Sequence, residues 1–246
     1  MNRASPASLA SPFGEVLARP DVWRGDRLAC AALPPVSSGF PQLDAELPGG
    51  GWPRGALTEI LTDRAGIGEC SLLMPAFARM RADGKWSLLV APPYPPHGPA
   101  WGGGGIDPAR LAIVSPTRPR DALWAAEQAL SSGALGIVLC WTPRTDPGQI
   151  RRLQVAAAGS GTLTFLFRPE HARAESSAAA LRLMLSAGAR GTLGVDLLKR
   201  RGPPCGRTLY LEVPRPLKRR EEHEPAVARA ASAAPAARSP RPRLIA

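Results

Sequence analysis

Between residues 56 and 167 short apolar runs alternate with longer stretches of helical period, and few folds accommodate that alternation. Residues 56–61, 86–91, 110–115, 135–141 and 162–167 have strand length and rest on Leu, Ile, Val and Ala. Residues 69–81, 120–130 and 147–158 separate them as helices. In the first of these, Leu72, Leu73, Ala76, Phe77 and Met80 recur at helical spacing. Strands joined by helix-length crossovers predict an α/β fold whose mostly parallel sheet is covered on both faces. Residues 92–108, with four consecutive glycines, read as a loop. Beyond residue 180 the period changes to two. Leu181, Leu183 and Leu185 alternate with Arg182 and Met184, and the same alternation returns at Leu193, Val195, Leu197 and at Leu209, Leu211, Val213. Three half-exposed strands with short turns predict an antiparallel extension of the same sheet.

Residues 1–36 read as an arm with a short helix: Ser11 caps it, Pro12 opens it, and Phe13, Val16 and Leu17 form its apolar face. Trp23 in this arm either packs on the core or meets a partner. Residues 37–214 are the core domain. Residues 215–246 are Pro, Ala and Arg without an apolar period, expected to be a disordered basic tail. The tail carries eight basic and three acidic groups, so it supplies +5 of the formal net charge of +11. Such a tail either seeks an acidic partner or nucleic acid, or serves as a solvated, solubilising end. The candidate partner-binding residues are therefore Phe13, Val16, Leu17 and Trp23 in the arm and Arg215, Lys218, Arg219 and Arg220 in the tail.

Cys30, Cys70, Cys140 and Cys205 are far apart, and His97, His171 and His223 are equally scattered, so no zinc spacing exists. Lone thiols fit a reducing cytoplasm. The first residues lack the apolar stretch of a signal peptide, and the most apolar segment, 134–141, is too short to span a bilayer.

A strand, a glycine loop and a helix form the setting of a phosphate-binding P-loop, GxxxxGK[ST]. Its backbone amides cradle phosphate, its Lys neutralises charge and its hydroxyl holds magnesium. The matching stretch is Asp63-Arg64-Ala65-Gly66-Ile67-Gly68-Glu69-Cys70. Gly66 and the motif's second glycine, Gly68, are present. Asp63 replaces the first glycine, Glu69 the Lys and Cys70 the hydroxyl. A unit-charge pair at 4 Å is worth about 4 kcal/mol at an effective dielectric near 20. Turning that attraction into repulsion swings roughly twice as much, about six orders of magnitude in affinity. None of the three lysines, Lys85, Lys199 and Lys218, follows a glycine loop, and no carboxylate ends residues 86–91 or 135–141. The expectation is a protein without ATPase chemistry, catalytic residues, metal or cofactor.

Ser38-Gly39-Phe40 through Leu43-Asp44, then Gly49-Gly50-Gly51-Trp52-Pro53-Arg54-Gly55 and Thr58-Glu59-Ile60, resemble the opening of the RecA core. Val22-Trp23-Arg24-Gly25, residues 48–60, the Asp63–Glu69 stretch and Leu198-Lys199-Arg200-Arg201-Gly202 resemble the ImuA family, RecA-like proteins of bacterial mutagenesis cassettes. That resemblance covers most of residues 20–214. It implies a RecA-like fold and an accessory role in SOS-induced translesion DNA synthesis. The implied partners are an ImuB-like inactive relative of Y-family polymerases, an error-prone polymerase III-type α subunit, and RecA. The alternative is a division inhibitor of the SulA type, a relative of RecA without a P-loop that binds the tubulin-like division protein. Short segments at 142–146 and 168–177 leave no room for RecA's DNA-binding loops. Arg144, Arg151, Arg152, Arg168 and Arg173 are read first as a solvated face.

Overall fold

The computed structural model describes residues 33–214. The arm residues Phe13, Val16, Leu17 and Trp23 and the tail residues Arg215, Lys218, Arg219 and Arg220 lie outside that range. The strands are β1 (Ala56–Thr62), β2 (Trp86–Val90), β3 (Leu111–Val114), β4 (Leu135–Trp141), β5 (Leu163–Pro169), β6 (Leu181–Ala187), β7 (Leu193–Lys199) and β8 (Leu209–Leu211). They form one sheet in the order β3-β2-β4-β5-β1-β6-β7-β8. The first six of these pair in parallel, and β6-β7 and β7-β8 are antiparallel. The expected α/β class and mostly parallel sheet are present, and the antiparallel extension begins one strand later than expected, at β7, because β6 pairs in parallel with β1.

The helices are α1 (Pro41–Asp44), α2 (Glu69–Met80), α3 (Gly98–Gly103), α4 (Pro119–Ser131) and α5 (Pro147–Ser160). The uninterrupted apolar runs follow from a sheet covered on both sides. In β4, Ile137 and Leu139 enter a core with Leu72, Leu73 and Phe77 of α2. The intervening Val138 and Cys140 enter a second core with Leu123 and Ala126 of α4 and Leu153 of α5. The start of α5 is fixed locally: Asp146 accepts from the Gln149 amide at 2.9 Å while Gln149 accepts from the Asp146 amide at 3.1 Å. Pro147 fills the first helical position, where no donor is needed.

The turn before α1 is pinned to α2 through Gly39. Its φ is +87°, and a Cβ there would stand 2.4 Å from Cβ of Pro75. Asp44 closes the same turn, accepting from Ser37 Oγ at 2.5 Å and the Ser38 amide at 2.8 Å.

Three further expectations need correction. Residues 92–108 contain α3, because buried Trp101 packs edge-on against Phe77 with centroids 5.9 Å apart. The glycine run hides that helix from a periodicity argument. β6 is not half-exposed: Arg182 and Met184 retain only 7% and 6% of their accessible surface. Arg168 does not belong to a solvated face, at 3% exposed. One cause covers the last two. Glu59 of β1 accepts from Arg168 Nη1 of β5 at 2.7 Å and from Arg182 Nε of β6 at 2.6 Å. Arg168 Nη2 reaches Glu175 at 2.6 Å, and Arg182 donates to the carbonyls of Ala172 and Glu175 at 2.8 and 3.0 Å. The short 3-10 segment Glu170–Ala174 is thereby held over the face that alternation would leave to solvent.

Breaking a buried pair by removing one partner costs about 3–5 kcal/mol, because the remaining charge stays buried and uncompensated. Glu59→Ala leaves Arg182 without a carboxylate while Arg168 keeps Glu175, so one buried positive charge is uncompensated and urea unfolding should show a loss of stability of about that size. Two partly exposed carboxylates extend the argument to pH. Hydrogen bonds from Arg168 hold Glu175 below the ordinary carboxylate range, and those from Arg207 and Arg200 do the same for Glu46. A depressed folded value means the contribution is present above the unfolded value near 4.5 and disappears as pH falls through the lower folded value. The urea midpoint should therefore fall on acidification below about pH 4.5, and less so in an Arg207→Ala variant.

Candidate functional site

The loop from Asp63 to Gly68 leaves the C-terminal end of central strand β1 and feeds the first turn of α2. In open parallel sheets, ligand sites lie outside the carboxyl ends of the strands. The structure brings Asp63, Gly66, Gly68, Glu69 and Cys70 together there. Gly68, the residue capping α2, has φ +118°, and a Cβ on it would stand 3.0 Å from Val213.

Glu69 folds back onto its own loop. Its Oε1 accepts from the Gly66 amide at 2.8 Å and its Oε2 from the Gly68 amide at 3.1 Å. The residue is buried, with 5% of its surface exposed. The carboxylate thus takes the place an incoming anion would occupy against those two donors. Hydrogen bonds to a charged group are worth about 1.5–3 kcal/mol each, and a helix N-terminus adds to them. An external phosphate would have to displace this carboxylate and leave a buried negative charge beside itself.

Cys70, the next residue, holds its thiol in the neutral form. Desolvation, reinforced by the Glu69 charge, pushes its thiol up to about 12. Asp63 and Arg64 are exposed and only loosely paired, at 3.9 Å.

Two cavities flank the loop. One, of about 270 Å³, lies between Gly66–Met74 and the wall from Pro92 to Trp101. The other, of about 440 Å³, lies between Asp63–Ala65, Pro116–Arg118 and the ends of β4 and β5. Trp141, at the end of β4, lines both. Its ring stacks on Phe167 of β5, with centroids 4.8 Å apart and planes 8° from parallel. Sequence reasoning saw Trp141 only as the end of an apolar strand. The detectable signal was an aromatic residue at the carboxyl end of a parallel strand.

The corner Lys199–Gly202, part of a motif noted in the sequence, has a structural duty. Arg200 donates to the Glu46 carboxylate at 2.7 Å and Arg207 does so at 2.9 Å, tying this corner to the segment after α1.

No family model matches the chain. It is similar to three proteins named cell division inhibitor SulA. With that of Edwardsiella piscicida it is 26% identical over 109 residues, 44% of this chain and 65% of the relative. With that of Pectobacterium atrosepticum it is 29% identical over 103 residues, 41% and 61% of the two chains. With that of Pectobacterium carotovorum subsp. carotovorum it is 29% identical over 101 residues, 40% and 60% of the two chains. The chain thus spans less than two thirds of the length of the relatives it matches. Among the described residues, no helix is long and apolar enough to cross a membrane.

The site generates a direct test. Titration with a fluorescent ATP analogue should show no saturable, magnesium-dependent binding, and micromolar affinity competed by ATP would contradict the self-occupied loop. Glu69→Lys should not create hydrolysis either, since no carboxylate ends β2 or β4.

Proposed function

We propose that this chain is a RecA-like body without nucleotide chemistry, acting in the bacterial DNA damage response by binding another protein. The observation that carries the non-catalytic part is Glu69 lying in its own loop amides. The RecA-like assignment is supported by the central position of β1, the glycine loop at its C-terminal end and the antiparallel strands beyond β6. What such a body retains is surface, and surface acts by occupancy.

For the partner, the similarity to three proteins named as division inhibitors supports a SulA-type role, blocking the tubulin-like division protein. A second reading rests on a different observation, the Asp63–Glu69 sequence with its acid folded into the loop. That stretch is the most specific part of the resemblance to the ImuA family. On that reading the chain is an accessory factor of translesion synthesis. It would hold an ImuB-like polymerase relative, a polymerase III-type α subunit or RecA.

Cell length and ultraviolet-induced mutation frequency separate the two when measured together in deletion and overproduction strains. The division-inhibitor role predicts filaments on overproduction and unchanged mutation frequency on deletion. The translesion role predicts loss of most induced mutations on deletion and cells of normal length. A strain pair altered in neither property overturns the proposal as a whole.

A further inference from the structure

The two cavities beside the Asp63–Gly68 loop share Pro93 and Trp141, so they form one trough along the C-terminal edge of the sheet. Its outer wall is stiff. Ala91 closes β2 with φ +52°, a conformation unusual for a residue with a side chain, and its amide is held by the Val114 carbonyl at 2.8 Å. The chain then turns into Pro92-Pro93-Tyr94-Pro95-Pro96, where four prolines limit the backbone freedom lost on binding. Tyr94 stands 67% exposed on this wall. At the other end, Pro116, Pro143 and Pro169 line the trough beside Arg64 and Arg118.

The charges decide what fits. Among the described residues Arg118 has no acidic partner, and the Arg64 side chain, 66% exposed, has only Asp63 at 3.9 Å. Arg168 also lines this end, but Glu59 and Glu175 already neutralise it. A mostly apolar trough with two available guanidiniums at one end suits an apolar segment flanked by carboxylates. Nucleic acid fits less well. The Trp141 ring already has Phe167 on one face, and Asp63 lines the same end as the two cations, whereas single-strand binders line a basic groove with free aromatic faces.

We propose that this trough is the partner-binding site, and that it takes an extended peptide segment placing apolar side chains on either side of Trp141 and carboxylates against Arg64 and Arg118. The inference rests on the protein-binding function proposed above and adds the surface and the chemistry of its partner.

The test selects a phage-displayed random dodecapeptide library on the full chain, then measures single labelled peptides by fluorescence polarisation. Enriched peptides should combine Leu, Phe or Trp with Asp or Glu. Their affinity should drop at least tenfold in Arg64→Glu/Arg118→Glu, and several-fold in Tyr94→Ala, a change at an exposed ring that leaves the core untouched. Unchanged melting temperatures keep a folding defect apart from a binding defect. Enrichment of basic peptides, no enrichment, or affinities indifferent to charge reversal overturn the proposal. So does a labelled oligo-dT that binds the wild-type chain and displaces the peptides. Expressing Arg64→Glu/Arg118→Glu in cells separates the two levels: a phenotype retained in full rejects the trough while leaving the protein-binding function standing.

Discussion

A carboxylate in the middle of a sheet is the constraint around which this molecule is arranged. Glu59 sits on the central strand with almost no access to water, and only the guanidiniums on the two flanking strands make that tolerable. Each oxygen receives one strong donor, and Glu175 balances the second positive charge. The group as a whole is neutral, so the low dielectric that penalises a lone ion works in its favour. A one-residue slip of β5 or β6 would send its arginine to the opposite face, so the network also selects the register of the three strands at the centre of the sheet.

From that centre the rest of the site follows. With β1 held between β5 and β6, its C-terminal end delivers the Asp63–Gly68 loop to one place, next to the ends of β4 and β5. Trp141 and Phe167 meet there because Leu139 pairs with Phe165 and Trp141 with Phe167 in the parallel register. The stacked rings give the edge an apolar floor, and prolines on three neighbouring segments give it walls.

Most of the architecture was legible in the sequence because period and composition agreed. The run Leu135–Trp141 could be only a doubly buried strand, and the Leu181–Leu185 alternation announced the change to antiparallel pairing. What misled was the assumption that an alternating charged residue faces water. Arg182 obeys the period of two but points into a partner, and no local pattern says that Glu59, 123 positions away, will be waiting. The same limit applies to Arg168. In the site, the identities at 63, 69 and 70 were readable as departures from the GxxxxGK[ST] pattern. That Glu69 would fold back to accept from the Gly66 and Gly68 amides depends on side-chain direction, which spacing does not encode. The helix around Trp101 was hidden by glycines whose own preference is against helix, and its existence depends on tertiary packing.

A loop that carries its own anion has a further consequence. Ordinary nucleotide-binding loops are shaped by what the cell supplies, and they change state with the ratio of triphosphate to diphosphate. Here an acid of the same chain is covalently attached at a fixed effective concentration, and its two oxygens take the Gly66 and Gly68 amides. Any anion that reached these two amides would compete with a group that never diffuses away.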